Sequence, residues 1–236
     1  MKRNKDWLLD ETRPPTKETL DFMDRQLADA GLESRGMANM SRLAVCIHDI
    51  IIHDNGKWFG EADIRIDALV VTGTGQMHAP ESFYMPKTAN FSRVQDGDSL
   101  PIGDGGLLVF HGHVRHFLDI LIMVSRNRTD TDSLAAILNT GLKSKDAQSA
   151  TDSLLGLAVA APEIAAVTAA MRGAGFIANF AYRLLRTMTG STIGLYRTSH
   201  LQYRDDFGIG PHPQPPQRTY RVNDLSFRYE VLEEDG

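Results

Sequence analysis

The sequence predicts a mainly β protein, an antiparallel eight-stranded β-sandwich that carries an inserted α-helical block and is preceded by an N-terminal helix. Three observations lead there. Short runs after Ser41 alternate apolar and polar residues with a period of two, as half-buried antiparallel strands do. Turn signals such as Asp54-Asn55-Gly56 separate those runs. Between Asp132 and Thr189 the period turns helical and the composition becomes rich in alanine.

Residues 1–40 read as an appended segment. Pro14, Pro15 and Thr16 stop what precedes them and supply a hydroxyl cap, after which Leu20, Met23 and Leu27 fall on one helical face before Gly31. The sandwich spans residues 41–232, with the helical insertion at 133–189 and a short tail at 233–236. Leu43, Val45 and Ile47 alternate along the first strand. Ile64, Ile66, Ala68 and Val70 alternate with Asp63, Arg65 and Asp67 along the second, so the charged row is expected to face solvent. The intervening loop places Trp58 and Phe59 at its tip or folded back under it. Further strands are read at residues 107–114, 117–125, 192–197 and 225–232, with weaker candidates near Phe83 and Tyr220. Leu225, Phe227, Tyr229 and Val231 share one face of the last strand. A count of seven or eight short strands suits two packed sheets.

In the insertion, Asp132 is a candidate cap for a helix through Leu134, Ile137 and Leu138. A second helix is expected at 147–161, and Pro162 suits the first turn of a third at 163–187. Pro162, Glu163 and Arg172 break the apolar stretch 154–171, short of the roughly 20 apolar residues that a membrane span needs. The small residues Gly156, Ala160, Ala165, Ala169 and Gly173 suit a tightly packed helical hairpin. Opening of that hairpin onto a bilayer or a partner helix is the alternative.

Composition narrows the function classes. With 236 residues, 42% hydrophobic and 23% charged, the chain is an ordinary globular one that buries roughly 70% of its unfolded surface. Its single cysteine, Cys46, reads as a core residue. With no apolar leader after Met1, it directs the expectation to the cytoplasm. A net charge of -5 without a basic tract argues against nucleic acid. No G-x-S-x-G, Cys-His pairing or P-loop marks a catalytic site, and the glycines near Gly73 and Gly103 read as turns. Residues 208–216 read as a stiff, proline-rich surface connector.

The run from Leu43 through His48 and Asp49 to Asp54, Trp58, Phe59, Asp63 and Asp67 resembles the opening of a synaptotagmin-type calcium/lipid-binding (C2-like) domain. There a strand leads into a loop with one aspartate, and a second aspartate begins the next strand. Residues 117–124 are similar to that family's strand before its third loop, and Ile193-Gly194 to the pair that follows it. The resemblance covers roughly residues 41–125 and 190–232 and implies loops at one end that bind calcium and, through it, anionic lipid. Asp54 and Asp63 match the first-loop aspartates; Asp130 and Asp132 are the third-loop candidates. Calcium takes about six to eight oxygen ligands, which carboxylates from two loops can supply in part.

A rival site lies in His111, His113 and His116, whose spacing is similar to the zinc motif of metallo-β-lactamase-like hydrolases, although Arg115 stands where that motif has aspartate. On alternate strand positions His111 and His113 share a face. His48 and His53 lie near the first acidic loop. The reading is therefore a noncatalytic interaction or membrane-association module with calcium as a possible ligand. A metal-dependent hydrolase using zinc, or a structural subunit of a larger assembly, stands as the alternative. A protein partner or self-assembly is expected, with an anionic membrane surface as a further partner.

Overall fold

The computed structural model describes residues 41–73, 83–128, 131–141 and 164–234. Its strands are β1 (Ser41–Ile52), β2 (Ala62–Thr72), β3 (Tyr84–Val94), β4 (Leu107–Val114), β5 (Phe117–Arg126), β6 (Thr192–Leu201), β7 (Gly210–His212), β8 (Tyr220–Val222) and β9 (Leu225–Glu233). Helices α1 (Leu134–Gly141) and α2 (Ile164–Met188) fall between β5 and β6, and a one-turn helix, α3 (Gln202–Asp205), follows β6. The expected N-terminal helix and the helix at 147–161 lie outside the described residues.

The strands form two antiparallel sheets. In the first the order is β4-β1-β9-β7, with β8 also paired to β9; in the second it is β3-β2-β5-β6. The inward rows read from the sequence meet in one cluster. Leu43, Val45 and Ile47 of β1 and Leu225, Phe227, Tyr229 and Val231 of β9 pack against Ile64, Ile66, Ala68 and Val70 of β2 and Ile120, Ile122 and Val124 of β5. Two sheets packed through these rows make a sandwich, and each buried aliphatic side chain contributes roughly 1.5–3 kcal/mol.

Among the described residues nine strands stand where eight are expected, because the proline-rich connector contributes one. Gly210–His212 pairs with β9 at the edge of the sheet. An edge position tolerates Pro211, which has no N–H to donate.

The larger departure concerns β2. Of its charged row only Asp63 faces solvent; Arg65 and Asp67 do not, and every residue from Ile64 to Thr72 is buried. A second apolar cluster explains this. Leu69, Val71, Phe117, Leu121 and Met123 project from the outer face of the second sheet and are covered by Leu134, Ile137 and Leu138 of α1 and by Ala174, Ile177, Ala178, Ala181 and Leu185 of α2. A Cβ on Gly141 would lie 2.6 Å from the Phe180 ring, so glycine lets α1 end against α2. Ser133, not Asp132, caps α1: its hydroxyl accepts the Ala136 N–H at 3.3 Å, while Asp132 is exposed.

One side of the sandwich is closed by a polar seam between β6 and the β7–β9 edge. His200 lies 3.0 Å through Nδ1 from Asp205 and 2.9 Å through Nε2 from the Tyr229 hydroxyl. Asp205 also accepts the Leu201 N–H at 2.7 Å. The His212 ring stacks on Tyr229 at 4.7 Å and donates through Nε2 to the Gly208 carbonyl at 2.6 Å. Gly208 sits at φ 66, and a Cβ there would fall 2.4 Å from the His200 ring, so both conformation and space demand glycine.

Candidate functional site at the loop end of the sandwich

The β1–β2 loop, residues 53–61, stands at one end of the sandwich beside the β3–β4 loop, residues 95–106. The Gly97 N–H donates to the Ile52 carbonyl at 2.6 Å, which joins the two loops at their base. The turn signal in the sequence acts through its middle residue. Asn55 is completely buried; its Nδ2 donates to the carbonyls of Gly60 at 2.8 Å and Val94 at 3.0 Å, and its Oδ1 accepts the Lys57 N–H at 2.9 Å. Its own N–H donates to Asp96 at 2.7 Å. Asp54 accepts the Gly56 N–H at 2.7 Å, Arg126 donates to the Gly56 carbonyl at 3.1 Å, and the Lys57 ammonium donates to the Glu61 carbonyl. Gly56 adopts φ 75, where a side chain is strained and a Cβ would meet the Ser191 hydroxyl at 2.9 Å.

This bracing leaves two large rings outside. Trp58 is 98% exposed and Phe59 83% exposed, so they point out from the tip and do not fold back beneath it. Isolated exposed apolar residues are ordinary; two adjacent aromatics on an internally bonded loop are not. Asn55→Ala should leave the Gly60 and Val94 carbonyls and the Lys57 amide without their partner. The expected cost is about 1–3 kcal/mol by urea unfolding, with faster tryptic cleavage after Lys57. Unchanged cleavage would show that Asn55 does not brace the tip.

The acidic residues are distributed around this end. Asp54 serves the turn, and the Asp63 carboxylate accepts the Arg93 N–H at 3.3 Å. Asp132 is carried elsewhere: its neighbour Thr131 accepts through its carbonyl from Arg65 at 3.2 Å, and the Leu134 N–H donates to the Thr88 hydroxyl at 2.9 Å, both on the outer face of the second sheet. Asp130 lies outside the described residues. Arg126 holds the loop between Asp54 and the start of β2.

The histidines are placed as follows. His111 and His113 share the outward face of β4; His111 Nε2 lies 2.6 Å from Glu234, which also accepts from Arg42 at 2.9 Å. His116 is buried in the turn to β5 at φ 68, and burial, then the charge of Arg115, holds its pKa below the ordinary value. His53 Nε2 lies 2.7 Å from the Ser226 hydroxyl. Among the described residues, no three of His, Cys, Asp and Glu form a group that could hold a metal ion.

Sequence reasoning missed the line Asp205–His200–Tyr229, because its members come from three elements and carry no motif. It has the outline of an acid–base–hydroxyl relay. Tyr229 is fully buried, however, and burial, then the neighbouring Tyr196, pushes its hydroxyl well above the usual pKa, which suits a structural donor and not a nucleophile. Cys46 is buried as expected, but it lies on the outward row of β1 opposite Glu230; burial, then that carboxylate, raises its thiol pKa. Among the described residues no helix is long and apolar enough to cross a membrane. No protein-family model, curated protein or solved structure matches this chain.

Proposed function

We propose that the chain is a noncatalytic membrane-association module on a sandwich of the calcium/lipid-binding type, and that the Trp58–Phe59 tip enters the bilayer interface. The observation that carries this reading is the near-complete exposure of both rings on a loop whose base is hydrogen-bonded to itself and its neighbours. The backbone groups engaged by Asn55, Asp54 and Arg126 would not have to be stripped of water at the interface, where each unsatisfied one costs several kcal/mol. Tryptophan favours the headgroup level and phenylalanine the acyl boundary.

Area separates a membrane from a protein partner. A stable protein interface needs roughly 800 Å² on each side, whereas two rings of about 150–250 Å² each are enough for a shallow wedge. At about 25 cal/mol per Å², full burial of both gives about 7.5–12.5 kcal/mol, from which the loss of free motion on association must be subtracted. Asp54 and Asp63 lie at the base of the tip, so calcium is the natural regulator to titrate there.

Vesicle sedimentation with the full chain tests the reading, using phosphatidylcholine vesicles with and without phosphatidylserine, each in calcium and in chelator. The wild-type protein should sediment, and the double substitution Trp58→Ala with Phe59→Ala should weaken binding at least about tenfold. Wild-type protein that stays in the supernatant under all four conditions would overturn the proposal.

A further inference from the structure

A second site lies on the flank of the first sheet. Between His48 and Ile51 the pairing of β1 with β9 slips, and Asp49 takes φ 49, the left-handed conformation that aspartate tolerates better than most residues. The β3–β4 loop closes over this bulge: the Leu100 N–H donates to Ile50 at 2.8 Å and the Ile52 N–H to Asp98 at 2.9 Å. Between bulge and loop is a recess of about 330 Å³, lined by His48, Asp49, Arg228, Asp104, Ser99 and residues 100–103. That volume is at the small end of ligand pockets.

Its polar groups are incompletely used. Arg228 binds Asp49 through Nε, which leaves both terminal guanidinium nitrogens without a hydrogen-bond partner among the described residues. The exposed Asp104 carboxylate likewise has no partner among them. His48 is 9% exposed, and its Nε2 makes no hydrogen bond; the Glu230 carboxylate lies 3.8 Å from it. Gly106, at φ 72, makes room for this ring, since a Cβ there would lie 2.6 Å from Nδ1.

We propose that this recess binds a small zwitterion bearing a carboxylate and an ammonium group, an α-amino acid being the simplest case. The free fork of Arg228 takes the carboxylate, a geometry that guanidinium matches with paired hydrogen bonds. Asp104 takes the ammonium. Because Asp49 is already engaged by Arg228, the charged groups of the lining left for a ligand are one of each sign, the terminal nitrogens of Arg228 and the Asp104 carboxylate. Burial, then Arg228, keeps His48 below its ordinary pKa against the opposite pull of Glu230 and Asp49, so at neutral pH the ring adds no charge to repel the ammonium.

Thermal shift and isothermal titration of the full chain with glycine, alanine and serine test this, with acetate and methylammonium as single-charge controls. At least one amino acid should raise Tm in proportion to occupancy, and the controls should not. Arg228→Gln and Asp104→Asn should each weaken binding at least about tenfold while leaving the fold intact, because the exposed Arg228–Asp49 pair is worth little to stability. No binding by any amino acid, equal binding by acetate, or binding indifferent to both substitutions would overturn the proposal.

Discussion

Arg65→Met should lower the stability of this protein by about 3–5 kcal/mol, read as a fall in the urea midpoint with little change in slope. Arg65 and Asp67 are each 1% exposed on the helix-covered face of β2. The guanidinium donates through Nε to Asp67 at 2.6 Å and through Nη2 at 2.8 Å. Thr88 of β3 donates to the same carboxylate at 2.7 Å and accepts the first amide of α1, while Arg65 Nη1 reaches the Thr131 carbonyl at 3.2 Å. The pair thus joins β2, β3 and the entry to the helices.

Removing the arginine leaves a buried carboxylate with one hydroxyl donor in place of three donors. The desolvation of that charge, and not the lost attraction, dominates the cost. The double substitution Arg65→Met with Asp67→Leu should recover most of the loss, because no charge is then stranded. A single-substitution cost below about 1 kcal/mol would mean that water reaches the carboxylate once the arginine is gone.

Acid should also weaken the fold, beginning near pH 6.5. His48, His116 and His212 all have pKa values held below 6.5, in each case chiefly by burial. A folded-state pKa below the unfolded one means that the unfolded chain binds more protons between the two values. Stability therefore rises with pH across that window; it is complete above 6.5 and is lost as pH falls toward the folded values. His212 is the most consequential of the three, since it packs between Tyr229 and His200, at 4.7 and 4.8 Å between ring centres, and holds the β7 edge. The nearby Asp205 and the Gly208 carbonyl act in the opposite direction without overcoming burial. Thermal melts from pH 8 to pH 5 should show Tm falling below 6.5, with a shallower fall in His212→Asn. A flat profile, or an unaltered slope in that variant, would contradict this assignment.

Much of the sandwich was legible because its signals are local. The alternation of Leu225, Phe227, Tyr229 and Val231 marks one inward face whatever lies opposite, and all four enter the central core. Asp54-Asn55-Gly56 marks a turn because Gly56 must take φ 75. The long helix was readable from its period to within one residue at either end, at Ile164–Met188. The candidate site was legible only in part. Trp58 and Phe59 were visible as a pair, but their exposure depends on Asn55 reaching Val94, 39 positions away. The recess at His48 had no signal, since Arg228 and Asp104 meet it from distant parts of the chain.

The sequence by itself determined the period of each segment, the inward rows of the strands and the place of the first turn, since these follow from backbone geometry and the chemistry of near neighbours. Tertiary structure alone decided that the Arg65–Asp67 row is buried and not solvated, that the proline-rich connector supplies an edge strand, and that Asp132 is carried onto the outer sheet face while Asp54 stays at the loop end. The physical reason is that burial and electrostatic partnership depend on what packs across a gap. Alternating charge along β2 reads the same whether water or a helix covers it, and here α1 and α2 take the place of water.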